Sequence, residues 1–207
     1  MKIAVIADST GKEELLAQGL AADTQVEWLT EPIPVPGADG YIDLLFRPGM
    51  ERIKKLDALQ PVLLIVNSVA GTLDELSGIP VRINSWPGFL TRVLLEASCK
   101  DEAVKEKTEK IFSAFNKTIE WVPDIPGFIS ARVIAMIINE AYFTLEEKVS
   151  SKEEIDTAMK LGTNYPYGPF EWSEKIGLRN VYDLLVSMSK TSSRYMPSGL
   201  LKKEVSV

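Results

Sequence analysis

The chain has 207 residues, with 45% hydrophobic and 25% charged side chains and a formal net charge of -6. Its Lys and Arg are scattered over an acidic whole, which argues against nucleic acid as a partner, because that binding rests on clustered bases that neutralise phosphates. It contains no histidine and one cysteine, Cys99, so it can form no internal disulfide and no Cys–His or Ser–His nucleophile pair, and a structural zinc site lacks its usual ligands.

The N-terminus opens on Lys2–Ala7, a short apolar run that reads as a first strand rather than a signal peptide. Apolar runs such as 61–66 are far too short to span a bilayer. No membrane association is expected, and a cytoplasmic location is the default. A helix is expected over Lys12–Ala21. Strands are expected over Gln25–Leu29, Gly40–Phe46, Val62–Asn67, Val81–Ser85, Arg92–Ser98 and Lys117–Val122. Leu63–Val66 shows no polar alternation, as in a strand buried on both faces. Pro32, Pro34 and Pro36 forbid a helix between Thr30 and Gly40 and favour an extended connection. A full dinucleotide-binding domain carries a crossover helix there, so the sheet is trimmed. Glu102–Phe115 has Val104, Ile111, Phe112 and Phe115 on one face and charges on the other, the pattern of an amphipathic surface helix. Residues 1–123 thus read as an α/β, Rossmann-like domain with a mostly parallel sheet.

Beyond a Pro/Gly-rich joint at Pro123–Gly127 the pattern becomes helical, giving a second, all-α domain over residues 124–207. Phe128–Val149 is apolar on nearly every face, which predicts burial in the domain or at a subunit interface. Ser151 and Glu154 form a capping box for the next helix. Pro169 suits the first turn of another, and Asn180–Met188 reads as the last clear helix.

A dinucleotide site needs a strand, a tight glycine turn and a helix, so that backbone N–H groups can approach a pyrophosphate. The turn here reads Ala7-Asp8-Ser9-Thr10-Gly11-Lys12. Ala7, Ser9 and Lys12 stand at the three glycine positions, or Gly11 at the third if one residue is deleted. Asp8 brings a negative charge toward the place of the diphosphate, and Lys12 offsets part of it. Glu31 follows the second strand, where an acid commonly holds a ribose hydroxyl.

Several stretches together resemble the 3-hydroxyacyl-CoA dehydrogenase family. They are Asp124 with Pro126-Gly127-Phe128, Glu140-Ala141, Ile155-Asp156, Gly168-Pro169-Phe170-Glu171-Trp172 and Leu200-Leu201. The resemblance runs well over residues 62–201 and loosely over 1–61. It implies a Rossmann-like domain followed by a helical C-terminal domain of the kind shared with 6-phosphogluconate dehydrogenase. It also implies NAD as cofactor, an acyl-CoA substrate, and a homodimer formed through the helical domain. Val62–Asn67 resembles the family strand whose Asn falls on Asn67. Pro80–Glu96 resembles the stretch from the family's His-Phe-Phe-Asn-Pro motif to its Leu-Val-Glu. In the family that His accepts the hydroxyl proton and the Glu orients it. Glu96 keeps the Glu position. The His position falls on Asn84 counting back from Glu96, or on Ile83 if Pro87 matches the motif's proline. Neither is a base near neutral pH. The motif's Asn falls on Trp86 or Pro87. In Pro-Gly-Phe-x-x-Asn-Arg the Asn falls on Ala131, while Arg132 matches. Three readings follow: a family member impaired in catalysis that pairs with itself or with a full-length relative, a working NAD-dependent dehydrogenase using Glu96, and a purely structural dimer.

Overall fold

The structure, a computed structural model, describes residues 1–206. The chain divides into two compact units, Met1–Phe128 and Ile129–Val207. The Pro/Gly-rich joint falls just inside the first.

The first unit is built on a seven-stranded sheet in the order β2-β1-β3-β4-β5-β6-β7. Its strands are β1 (Lys2–Ile6), β2 (Gln25–Leu29), β3 (Gly40–Asp43), β4 (Leu63–Asn67), β5 (Val81–Ile83), β6 (Leu94–Cys99) and β7 (Thr118–Trp121). All neighbours pair in parallel except β5 and β6. A dinucleotide-binding sheet in the order 3-2-1-4-5-6 that loses its third strand has the order of β2-β1-β3-β4-β5, and β6 and β7 extend it here. Instead of that strand and its helix, residues 30–39 cross directly from β2 to β3. The Tyr41 hydroxyl accepts from Val35 N–H (2.6 Å), and Val35 and Ala38 pack on the core.

Both sheet faces are covered, which explains the unbroken apolar runs. Ile3, Val5, Ile42, Ile65 and Ile83 face helices α1 (Ser9–Leu16) and α3 (Lys105–Ser113), represented by Leu15, Ile111 and Phe112. Ala4, Ile6, Tyr41, Leu64 and Val66 face the side carrying α2 (Met50–Asp57) through Leu56. At Gly40 a side chain would collide with Ile111, 2.4 Å away, so glycine is what lets α3 lie close on β3.

Several boundaries differ from the sequence expectations. Helix α1 starts at Ser9 because Asp8 caps it, and it ends at Leu16, short of Gly19 with its φ of 90°. Helix α2 has no counterpart in the sequence reading. The stretch expected to be one helix from Glu102 opens with a 3₁₀ turn, Glu102–Val104, and α3 begins at Lys105.

In the second unit α4 (Ser130–Glu146) buries Ala131, Ala135, Ile138 and Tyr142, a single helical stripe. The expectation of burial all round does not hold within the chain, because Ile129 and Val133 are about half exposed. Phe128 and Gly127 lie outside the helix, with φ of 51° and 88°. Helices α6 (Pro169–Ile176), α7 (Leu178–Ser189) and α8 (Gly199–Val205) pack against α4, and α5 (Lys152–Thr163) packs against α6. Asn139 fixes the approach to α8: its amide donates to Met196 O, and its oxygen accepts from Ser198 N–H, both at 2.9 Å. Asp156 accepts from the Phe170 and Glu171 N–H groups at the start of α6 (2.8 and 3.1 Å). Any side chain at Gly168 would strike that carboxylate at 2.3 Å. The sequence motifs Ile155-Asp156 and Gly168-Pro169 are therefore two halves of one cap.

Lys160 and the Gly168 N–H hold the Glu171 carboxyl below its ordinary range, and the Ser150 and Ser151 bonds do the same for Glu154. A carboxylate with a depressed folded pKa stabilises fully above its unfolded pKa, and the stabilisation is lost as pH falls through the folded value. The melting temperature is therefore expected to drop on acidification below about pH 4.5, and less steeply in a Glu154→Gln/Glu171→Gln double variant, as circular dichroism melts would record. Replacing Arg82, buried against Asp124 (Nε to Oδ1, 2.5 Å), with Ala strands a carboxylate. That change should lower the unfolding free energy by about 3–5 kcal/mol in urea titrations.

Candidate functional site

In an open parallel sheet, ligands bind beyond the carboxyl ends of the strands, where the strand order reverses. Here that point lies between β1 and β3. Ala7, Asp8, Ser9, Thr10 and Gly11 form the β1–α1 turn there, in the strand–turn–helix setting expected from sequence. Helix α1 presents its N-terminus, the natural place for an anion. The anion present is the chain's own: the Gly11 N–H donates to Asp8 Oδ1 at 2.7 Å. Lys12, the cation available to offset Asp8, lies instead over the Trp28 ring, 4.9 Å from its centroid.

Glu31 follows β2, as the sequence suggested for a ribose acid. It is engaged by Arg52 Nη1 (3.0 Å) and Lys55 (3.4 Å). Arg52 also donates from Nε and Nη2 to the two oxygens of Asp43, each at 2.8 Å. Asp43 is fully buried at the end of β3. Burial pushes its carboxyl above the ordinary range, and the Arg52 bonds offset only part of that. Neither Arg52 nor Asp43 was singled out from sequence. A bidentate Arg–carboxylate pair leaves no local pattern when its members sit on a strand and the following helix.

The other cluster forms at the ends of β4, β5 and β6. Antiparallel pairing of Ile83 with Ala97 brings Asn84 beside Glu96. Asn84 Nδ2 donates to Glu96 Oε2 at 2.8 Å. Ile83, the other candidate for the base position, is fully buried in the core. Asn67 joins the cluster through its Oδ1, which accepts from Ser85 N–H (3.3 Å), while its amide donates to Leu44 O (3.4 Å). The Ser85 hydroxyl is buried with no hydrogen-bond partner. Trp86 is buried and meets Phe89 edge-on.

The loop after Asn84 is held from below by residues that the sequence did not flag. Gly88 N–H donates to Glu14 (2.8 Å) and Gln18 donates to Thr91 O (2.9 Å). The buried Lys117 amine donates to Leu90 O (2.5 Å) and Arg92 O (3.0 Å), and burial lowers its pKa. Ala131 is buried, and Arg132 donates to the Tyr195 hydroxyl at 3.0 Å. A cavity of 350 Å³ lies at the opposite end of β4, lined by residues such as Gln60, Pro80 and Lys107. Among the described residues no group of three or more Asp, Glu, Cys or His side chains is placed to hold a metal. Among the described residues no helix is long and apolar enough to cross a membrane.

The chemistry of these groups is limited. Asn84 and Asn67 exchange no protons near neutrality, and Glu96 is the one ionisable group in its cluster. The β1–α1 turn does not fit a dinucleotide diphosphate. Its Gly11 N–H is taken, and a carboxylate stands where two phosphate charges would lie. Two like charges 4 Å apart near a protein surface repel by about 4 kcal/mol.

A Rossmann-like sheet followed by a helical bundle is the class of protein this architecture defines. The solved (S)-3-hydroxybutyryl-CoA dehydrogenase of Ralstonia eutropha shares it, with a TM-score of 0.78, 18% identity, and coverage of 99% of this chain and 93% of that one. Residues 127–206 match the family described as 3-hydroxyacyl-CoA dehydrogenase, C-terminal domain. The 3-hydroxyadipyl-CoA dehydrogenase of Escherichia coli is 32% identical over 185 residues, covering 86% of this chain and 38% of that protein. A probable 3-hydroxybutyryl-CoA dehydrogenase of Bacillus subtilis is 30% identical over 168 residues, covering 75% of this chain and 58% of that one. The chain belongs to the 3-hydroxyacyl-CoA dehydrogenase family, and it spans less than two thirds of the length of these two relatives.

If Asp8 serves as a helix cap, an Asp8→Ala variant loses about 1 kcal/mol of stability and Asp8→Asn loses much less, measured by urea unfolding.

Proposed function

We propose that this chain is a 3-hydroxyacyl-CoA dehydrogenase family member that does not turn over substrate and acts as a dimerising partner through its helical unit. The observation that carries the reading is the Asn84–Glu96 hydrogen bond of 2.8 Å. Glu96 holds the place of the carboxylate that orients the family base, and an amide stands where the base belongs. Loss of a positioned general base costs about 10²–10⁴ in rate. The misfit of the Asp8 turn to a diphosphate points the same way and argues against NAD as a bound cofactor. Without NAD there is no hydride acceptor for an acyl-CoA substrate. The half-exposed Ile129, just before α4, and Val133 on it suit a contact with a second copy or with a full-length relative.

The purified chain is expected to form no NADH from NAD and 3-hydroxybutyryl-CoA. It is also expected to show no rise in melting temperature with NAD or NADH, whereas a ligand at 100 times its Kd stabilises by about 2.7 kcal/mol. Steady NADH production that disappears in a Glu96→Gln variant would establish the opposite reading, in which Glu96 is the base. Sedimentation of the chain alone and mixed with a full-length relative tests the dimer. A monomer in both would end the partner role.

A further inference from the structure

Strand β2 is the edge of the sheet because the strand that would flank it is missing from this chain. In a parallel ladder alternate residues bond a given neighbour. Gln25 N–H donates to Met1 O (2.9 Å), and Leu29 O accepts from Ala7 N–H (3.0 Å). Residues 25, 27 and 29 therefore serve β1. The N–H and C=O groups of Val26 and Trp28 point the other way, off the sheet. Natural edges are commonly blunted by proline, charge or a bulge; β2 has no proline and no break in register, and its one charged residue is Glu27.

The two faces of this edge differ. Val26 and Trp28 are half-buried at the rim of the α1/α3 core. Gln25 and Glu27 are exposed on the other face. Residues 23–29 carry Asp23 and Glu27 and no Lys or Arg. Two such edges brought together repel, which disfavours a second copy of this chain. Lys12 is stacked over Trp28 on the apolar face.

We infer that β2 is a docking edge for an extended segment of another polypeptide, one that alternates apolar and basic residues and adds to the sheet as an eighth strand. Its main chain pairs with Val26 and Trp28. Its apolar side chains continue the rim beside those residues, and its Lys or Arg side chains lie beside Glu27. The inference is independent of whether the chain is an enzyme, because it uses no residue of the candidate site.

The test titrates the isotope-labelled full chain with the peptide KVKVKVK and, separately, with EVEVEVE, following amide shifts and exchange. The lysine peptide is expected to shift and protect the Val26 and Trp28 amides, with the glutamate peptide at least about tenfold weaker, a difference of about 1.4 kcal/mol. Val26→Pro removes an outward donor and leaves the β1 ladder intact, and it should weaken binding about tenfold with an unchanged circular dichroism spectrum. Should that variant unfold, Glu27→Lys, an exposed change, is expected to weaken the lysine peptide similarly. Equal binding of the two peptides, no binding at millimolar concentration, or shifts confined to other strands would overturn the inference. So would Val26 and Trp28 amides already protected in a peptide-free dimer, which would mean that a second copy holds the edge.

Discussion

One buried guanidinium ties the end of the sheet to the exit of the first unit. Arg82 donates to Asp124, to Ser68 O (2.9 Å) and to Ile125 O (2.8 Å), and it lies 4.1 Å from the centre of the Phe128 ring. Desolvation of such a charge is costly unless it is hydrogen-bonded and a carboxylate stands opposite. Here each of the three guanidinium nitrogens donates once and Asp124 stands opposite. Asp124 also accepts from Leu73 N–H (2.9 Å), so the loop after β4 is fixed by the same carboxylate. The left-handed backbone at Gly127 and Phe128 is held in place by the Gly127 N–H bond to Val69 O (2.8 Å) and by the arginine over the ring. A lysine at 82 would supply neither the flat face nor the forked donors. The Pro-Gly-Phe motif and its Asp thus have a structural cause that is independent of catalysis.

That tie sets the ends of β4 and β5, and with them Asn67, Asn84 and Ser85. The frame on which the family mounts its reacting groups is kept while the groups differ. Amides and a carboxylate bond one another where a titrating pair is expected, and an arginine closes on two acids at the switch point. On the proposed function, structure and chemistry have separated here, because each is specified by different residues.

The strands were legible because their apolar runs are buried on both faces and their turns are marked by Pro and Gly. The helical half was legible through its caps: Ser151 and Glu154 do form a capping box, and Pro169 does open α6. Helix α2 escaped because it is short and mostly charged, burying little beyond Leu56. The evenly apolar α4 looked buried all round because composition cannot say which side of a helix meets its neighbours. In the site, the resemblance singled out Glu96 together with Asn84 or Ile83, and the β5–β6 register puts Asn84 against Glu96. The Asp43–Arg52 pair was not singled out, because its partners belong to separate elements and no spacing rule joins them.

The carboxylate on Asp8 has one more implication. It is tethered three residues from the N–H it satisfies, so it never diffuses away and competes at an effective concentration that no dissolved phosphate matches in a cell. A dinucleotide arriving at this turn has to evict an occupant that is covalently part of the wall. Adding glycines to this turn alone therefore leaves the lodger in place, and freeing the Gly11 N–H means first removing an acid.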